Sequence, residues 1–265
     1  MKSADMTVTM VGSYDMSLVF LSYVIAAVAS FVALDLAGRV TASQGSARKL
    51  WLMGGAIAMG VGIWSMHFIA MLAFSLPVTV SYDTMTTAAS LLAAVATSGI
   101  ALFIVSRDAM GLVPLVSGSV LMGVGIGTMH YTGMAAMRLD ATMWYDRTFF
   151  AASIVVAIVV SLVALWLAFH LRGETSGIGT LQKIVSALVM GAAIVGMHFT
   201  GQLATNFTPT AASMGVQGAA AASGRSGLAV AVGITTGLIL CLALVSSFLN
   251  RKTDSHVPKQ AGVSH

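Results

Sequence analysis

Seven stretches of the chain run almost without charge, at about 14–37, 50–73, 86–106, 113–136, 149–171, 182–203 and 228–249. Each is long enough to cross a hydrocarbon layer of roughly 30 Å as a helix, which takes about 20 residues. Strands of a membrane barrel would alternate apolar and polar positions, and stretches such as Ile154 to Phe169 do not. Helices are then the remaining way to pair every backbone N–H and C=O inside lipid. The pattern predicts an all-α membrane protein, a seven-transmembrane helix bundle over residues 14–249. A short segment at 1–13 and a short tail at 250–265 flank it, and the longest loop, about 204–227, is rich in Ala, Gly and Ser and is expected to have no core of its own.

Composition strengthens this reading: 57% of residues are hydrophobic, 8% are charged, and the mean hydropathy is +0.92. So few charges cannot supply the polar shell of a soluble domain, so the lipid bilayer must solvate most of the surface. The formal charge of +4 is spread over short loops, which speaks for topology and against nucleic-acid binding. Cys241 is the single cysteine and excludes an internal disulfide or a cysteine metal cluster. Ala27-Val28-Ala29 imitates a signal-peptidase site, but Asp5 and Asp15 against Lys2 mark the preceding segment as a first span.

Basic residues orient the spans. Arg39, Arg48, Lys49, Arg107, Arg172, Lys183, Arg251, Lys252 and Lys259 fall on one side, and Lys2, Arg138, Arg147 and Arg225 on the other. The positive-inside rule puts the C-terminus in the cytoplasm and the N-terminus outside. Tyr82, Trp144 and Tyr145 at outer span ends, with Trp51 and Trp166 towards inner ends, fit interfacial aromatic belts.

Three stretches align without gaps: AMGVGIWSMHFIAM at 58–71, LMGVGIGTMHYTGM at 121–134 and VMGAAIVGMHFTGQ at 189–202. Their histidines, His67, His130 and His198, fall on spans 2, 4 and 6, which run in one direction, and share one level in the outer half of the bilayer. Four residues after each, on the same helical face, stand Met71, Met134 and Gln202; immediately before each stand Met66, Met129 and Met197. Seven residues before each is a glycine, Gly60, Gly123 or Gly191, which lets another helix approach and turns this face into the bundle.

A histidine near a span end is often a packed residue, and duplication can preserve a packing motif as readily as a site. An ionisable side chain inside a bilayer is nevertheless a functional candidate, and these occupy one place in a triplicated motif. His170, His256 and His265 show no such pattern. As a metal site, imidazole with thioether favours copper over zinc, and no carboxylate at that depth invites magnesium or calcium. Haem is the rival, because histidines on neighbouring helices can supply axial ligands; the donor residues alone leave the two open.

The stretch MHYTGM at 129–134, with MHFIAM at 66–71 and MHFTGQ at 197–202, resembles the MHYT family of bacterial membrane sensor domains, over roughly 14–249 including ALDLAGR at 33–39. The resemblance implies a seven-helix bundle in the bacterial inner membrane, with the three motifs near the outer face. It also implies copper ligation by His67, His130, His198, Met66, Met71, Met129, Met134 and Met197, and sensing of a diatomic gas such as oxygen, carbon monoxide or nitric oxide. Gln202 departs from the methionine at the equivalent place. Many relatives carry diguanylate cyclase, phosphodiesterase or kinase domains that this sequence lacks, so a signal is expected to leave through a separate output partner. The competing reading is a haem- or copper-handling electron-transfer or transport protein, with Asp35 the carboxylate placed to help a path. No nucleophile, base and orienting carboxylate converge along the chain, so no enzyme is expected.

Overall fold

The structure, a computed structural model, describes residues 9–174, 176–210 and 222–255. Its elements are β1 (Ser13–Tyr14), α1 (Met16–Ala42), α2 (Gly45–Ala73), β2 (Phe74–Ser75), β3 (Val80–Tyr82), α3 (Thr84–Val105), α4 (Leu112–Ala135), β4 (Met137–Leu139), β5 (Ala141–Tyr145), α5 (Arg147–Leu171), α6 (Gly177–Leu203), β6 (Thr205–Pro209) and α7 (Ala222–Ser255). All seven helices are long and apolar enough to span a membrane, as the sequence pattern predicts. Several run further than their apolar stretches: α2 starts at Gly45 instead of 50, α6 at Gly177 instead of 182, and α7 continues to Ser255. Hydropathy marks where a helix meets lipid, whereas the helix itself continues as long as each added residue closes a backbone hydrogen bond.

Three short antiparallel ladders close the histidine end. β1 pairs with β2, β3 with β4, and β5 with β6. Each ladder joins the chain entering an odd helix to the chain leaving the following even helix, so the domain is three strand–helix–helix–strand units plus α7. The joints are equivalent in detail. The N–H groups of Asp15, Asp83 and Asp146 donate to the carbonyls of Ala73, Ala136 and Ala204. The same three carboxylates cap α1, α3 and α5, accepting from Ser17 and Leu18, from Thr86, and from Thr148 and Phe149. Hydrogen bonding to Thr86, with Arg138 nearby, holds the Asp83 carboxyl below its ordinary range. The start of the long loop is ordered against the bundle: 205–209 forms β6, and Phe207 is buried in an apolar cluster with Met71 and Met134. The loop residues 211–221, like 1–8 and 256–265 of the terminal segments, lie outside the described residues.

The first six helices form a closed ring in sequence order, with α6 returning to α1, and α7 lies outside against α1 and α2. Glycines set the spacing. A Cβ on Gly60 would stand 2.5 Å from the backbone of Val95 on α3, one on Gly123 2.7 Å from that of Ile158 on α5, and one on Gly191 2.8 Å from that of Ala27 on α1. Close approach is therefore as expected from the repeat, and the approaching helix is each time the odd helix of the next unit. Large apolar side chains such as Phe20, Leu92, Val155 and Leu242 face outwards, while Ser22, Ser90 and Ser153, each seven residues after a capping aspartate, are buried within. This inside-out distribution suits a lipid solvent.

Candidate metal centre

His67, His130 and His198 project from α2, α4 and α6 into the ring about 9 Å below the ladders, six residues before Ala73, Ala136 and Ala204. All three are at most 1% exposed. Their rings touch edge to face, with centroids 4.8 Å apart for His67 and His130, 5.0 Å for His67 and His198, and 5.1 Å for His130 and His198. One ring nitrogen from each lies within 4.8 Å of the others. The common depth expected from the repeat is thus realised as direct contact.

The hydrogen bonds within the trio are asymmetric. His67 Nδ1 and His198 Nδ1 are 3.0 Å apart. His198 Nε2 lies 3.1 Å from Gln202 Oε1. An amide oxygen only accepts, so His198 donates from Nε2 and keeps a lone pair on Nδ1, facing His67. Among the described residues, His67 Nε2 and both ring nitrogens of His130 have no hydrogen-bond partner. Three orphaned polar atoms in so small a volume are unusual in a buried site and call for a further occupant.

Small residues aim the rings. Gly133, three after His130, packs on Nε2 of His67, and a Cβ there would collide with it; a Cβ on Gly201, three after His198, would stand 2.6 Å from Nε2 of His130. The position three after His67 is Ala70, fully buried, so the third arm carries a methyl where the other two carry none. The sequence reading missed this role for Gly133 and Gly201; the Thr-Gly pair shared by the second and third motifs was the available signal.

The methionines divide into two groups. Met71 and Met134 are fully buried in the apolar cluster with Leu76, Val78, Met137 and Phe207 that roofs the histidines. They occupy the position from which Gln202 reaches its own histidine. Met129 and Met197 pack with Ala94 of α3 and Ala157 of α5, and Met66 with Leu18 and Ile25 of α1. These three lie towards the surrounding helices, on the flank of the motif face. His170 sits exposed at the far end, with Nδ1 2.8 Å from the Trp166 carbonyl oxygen, and His256 and His265 lie outside the described residues.

The repeat profile of the MHYT family, described as a bacterial signalling protein N terminal repeat, matches three times, at residues 1–50, 60–118 and 123–180. The chain belongs to the MHYT family. Those matches contain His67 and His130; His198 follows the third, and its equivalence rests on the ring geometry and on the shared Asp–Ala joints. This MHYT chain is 44% identical over 246 residues to the Pseudomonas aeruginosa bifunctional diguanylate cyclase/cyclic di-GMP phosphodiesterase MucR, covering 93% of this chain and 35% of that protein. It is 42% identical over 192 residues to the cyclic di-GMP phosphodiesterase NbdA of the same organism, covering 72% of this chain and 24% of NbdA. To the signaling protein YkoW of Bacillus subtilis it is 39% identical over 196 residues, covering 74% of this chain and 24% of YkoW. The MHYT chain thus spans about a quarter to a third of the length of these relatives. No solved structure matches it.

The MHYT trio fits a metal ion by its donor set. Two imidazole nitrogens on one tetrahedral ion, each about 2.0–2.1 Å from it, stand roughly 3.3 Å apart, close to the 3.0 Å between the Nδ1 atoms of His67 and His198. His130, without a hydrogen-bond partner at either nitrogen among the described residues, supplies the third donor of the set. Gln202 fixes the tautomer of its histidine, as outer partners of metal-ligating histidines do.

Proposed function

We propose that this membrane signalling domain senses a small ligand through a copper ion held by His67, His130 and His198, with Met71 and Met134, four residues after two of them, as thioether candidates. The observation that carries the reading is the set of three touching, buried imidazoles with three unpartnered ring nitrogens. Copper is favoured over harder ions because thioethers stand one helical turn from two of the imidazoles and, among the described residues, no carboxylate joins the trio. Haem is disfavoured because rings in edge contact leave no slot between them for a planar macrocycle. A diatomic gas is the ligand class that a buried metal with one open position admits, and it acts only by favouring one helix arrangement over another.

The distribution of basic residues supports a histidine end outside the cytoplasm, and the bacterial relatives support an inner-membrane location. The output then leaves by the opposite end, and the domain acts as a sensor. Ser65, two residues before His67, bonds Thr236 of α7 at 2.6 Å, so a shift of α2 at the site bears directly on the outer helix.

Metal analysis and an absorption spectrum of protein purified in mild detergent test the proposal. One copper equivalent per chain that is lost in His67→Ala, His130→Ala and His198→Ala alike, while membrane insertion persists, is the expected result. A Soret band, or unchanged copper in all three variants, overturns it.

A further inference from the structure

Eight residues before each histidine the chain repeats a second methionine: Met59, Met122 and Met190. All three are buried, at 9%, 7% and 7% exposure. They come from α2, α4 and α6, and all three line each of two neighbouring cavities inside the ring. The cavity of about 70 Å³ reaches towards the histidines, with Met66 in its wall; that of about 40 Å³ reaches the other way, to Ala37, Val105 and Ala168. With Ala33 and Ala164, which also line both, the three methionines form the partition between the two.

The odd helices add hydroxyls at the same level. Ser30, Ser98 and Ser161 lie fifteen residues after the capping aspartates Asp15, Asp83 and Asp146. Those aspartates are bonded to Ala73, Ala136 and Ala204, and the methionines lie fourteen residues before these alanines. At 1.5 Å per residue both series sit roughly 21–23 Å below the ladders, and about 12 Å below the histidines. Ser30 and Ser161 line the larger cavity. Ser161, 1% exposed, has a hydroxyl with no hydrogen-bond partner, as does Ser98. A buried hydroxyl without a partner in a membrane interior is costly, and its presence on a cavity wall points to a guest.

We propose that Met59, Met122 and Met190, with the Ser161 hydroxyl, form a second cation site for a soft monovalent metal, Cu(I), separate from the histidine layer. Three thioethers select Cu(I) over harder ions. No carboxylate lines either cavity, so a neutral donor set of this kind suits a single positive charge better than a double one. This site does not depend on metal binding at the histidines.

The test is a Cu(I) titration under ascorbate with a competing chelator. It uses wild type, the Met59→Leu/Met122→Leu/Met190→Leu protein, and the His67→Ala/His130→Ala/His198→Ala protein. The leucine variant should bind one equivalent fewer than wild type, and the histidine variant should retain one equivalent with sulfur-dominated X-ray absorption. Equal Cu(I) binding in wild type and the leucine variant overturns the site and leaves the methionines as filling for an uneven core. If the leucine variant does not fold, the histidine variant decides: copper with only nitrogen and oxygen neighbours, or no copper, refutes the proposal. Failure of the histidine site alone would show as unchanged stoichiometry on losing the histidines, with the methionine-dependent equivalent intact.

Discussion

Gly201 on α6 lies against the ring of His130 on α4 so closely that a methyl there would stand 2.6 Å from Nε2. The relation has a counterpart in Gly133 and His67, and together they fix two of the three rings from the neighbouring even helix.

Gly201→Ala and Gly133→Ala should therefore turn their histidines out of place and weaken metal binding by about 10–100-fold, as loss of an outer partner does. Gly196→Ala, two residues before His198, meets nothing within 4 Å. It should leave binding unchanged and stabilise α6 by about 1 kcal/mol. Isothermal titration of the three proteins checks the contrast, and equal losses in all three would mean that general helix disturbance is responsible.

Gln202 holds His198 at 3.1 Å where Met134 and Met71 present sulfur. Replacing the amide by a thioether, Gln202→Met, should shift the site's preference towards Cu(I) on the order of tenfold, about +60 mV for a one-electron couple. Met134→Gln should move the potential down. Redox titration reads both, and identical potentials in all three proteins would remove the residues four after each histidine from the ligand set.

Among the described residues, polar links at two levels tie α7 to the ring. Ser65 bonds Thr236, and Ser247 accepts from Arg39 Nε at 2.9 Å while donating to the Asp35 carboxylate. Thr236→Val loses one interhelical hydrogen bond, about 0.6 kcal/mol. Ser247→Ala takes a bond from both a buried cation and a buried carboxylate and should cost more, about 1–3 kcal/mol. Thermal unfolding in detergent should rank the variants in that order, and the reverse order would mean that the Asp35–Ser247–Arg39 cluster does not anchor the helix.

From the nine-to-four division of basic residues, the C-terminus is expected in the cytoplasm. Reporter fusions after Lys252 should be active only as cytoplasmic reporters. Alkaline phosphatase activity from that fusion would reverse the orientation and put the histidines near the inner face.

The seven spans and the inward histidine face were legible in the sequence because lipid imposes a length and glycine at a fixed spacing imposes a face, both of which are local constraints. The shared depth of His67, His130 and His198 followed from the repeat in the same way. What the apolar runs could not carry was the order around the ring. That Gly60 meets Val95 of the next unit, or that α7 stands outside while α6 returns to α1, depends on packing between helices far apart in the chain. The ladders were invisible for a related reason: strands of two to five residues carry no hydropathy period of their own and form only where the ring brings their partners together. Gln202 likewise reads in sequence as a missing thioether. Only the fold, by placing His198 Nδ1 against His67, shows its amide setting which nitrogen of that histidine faces the site.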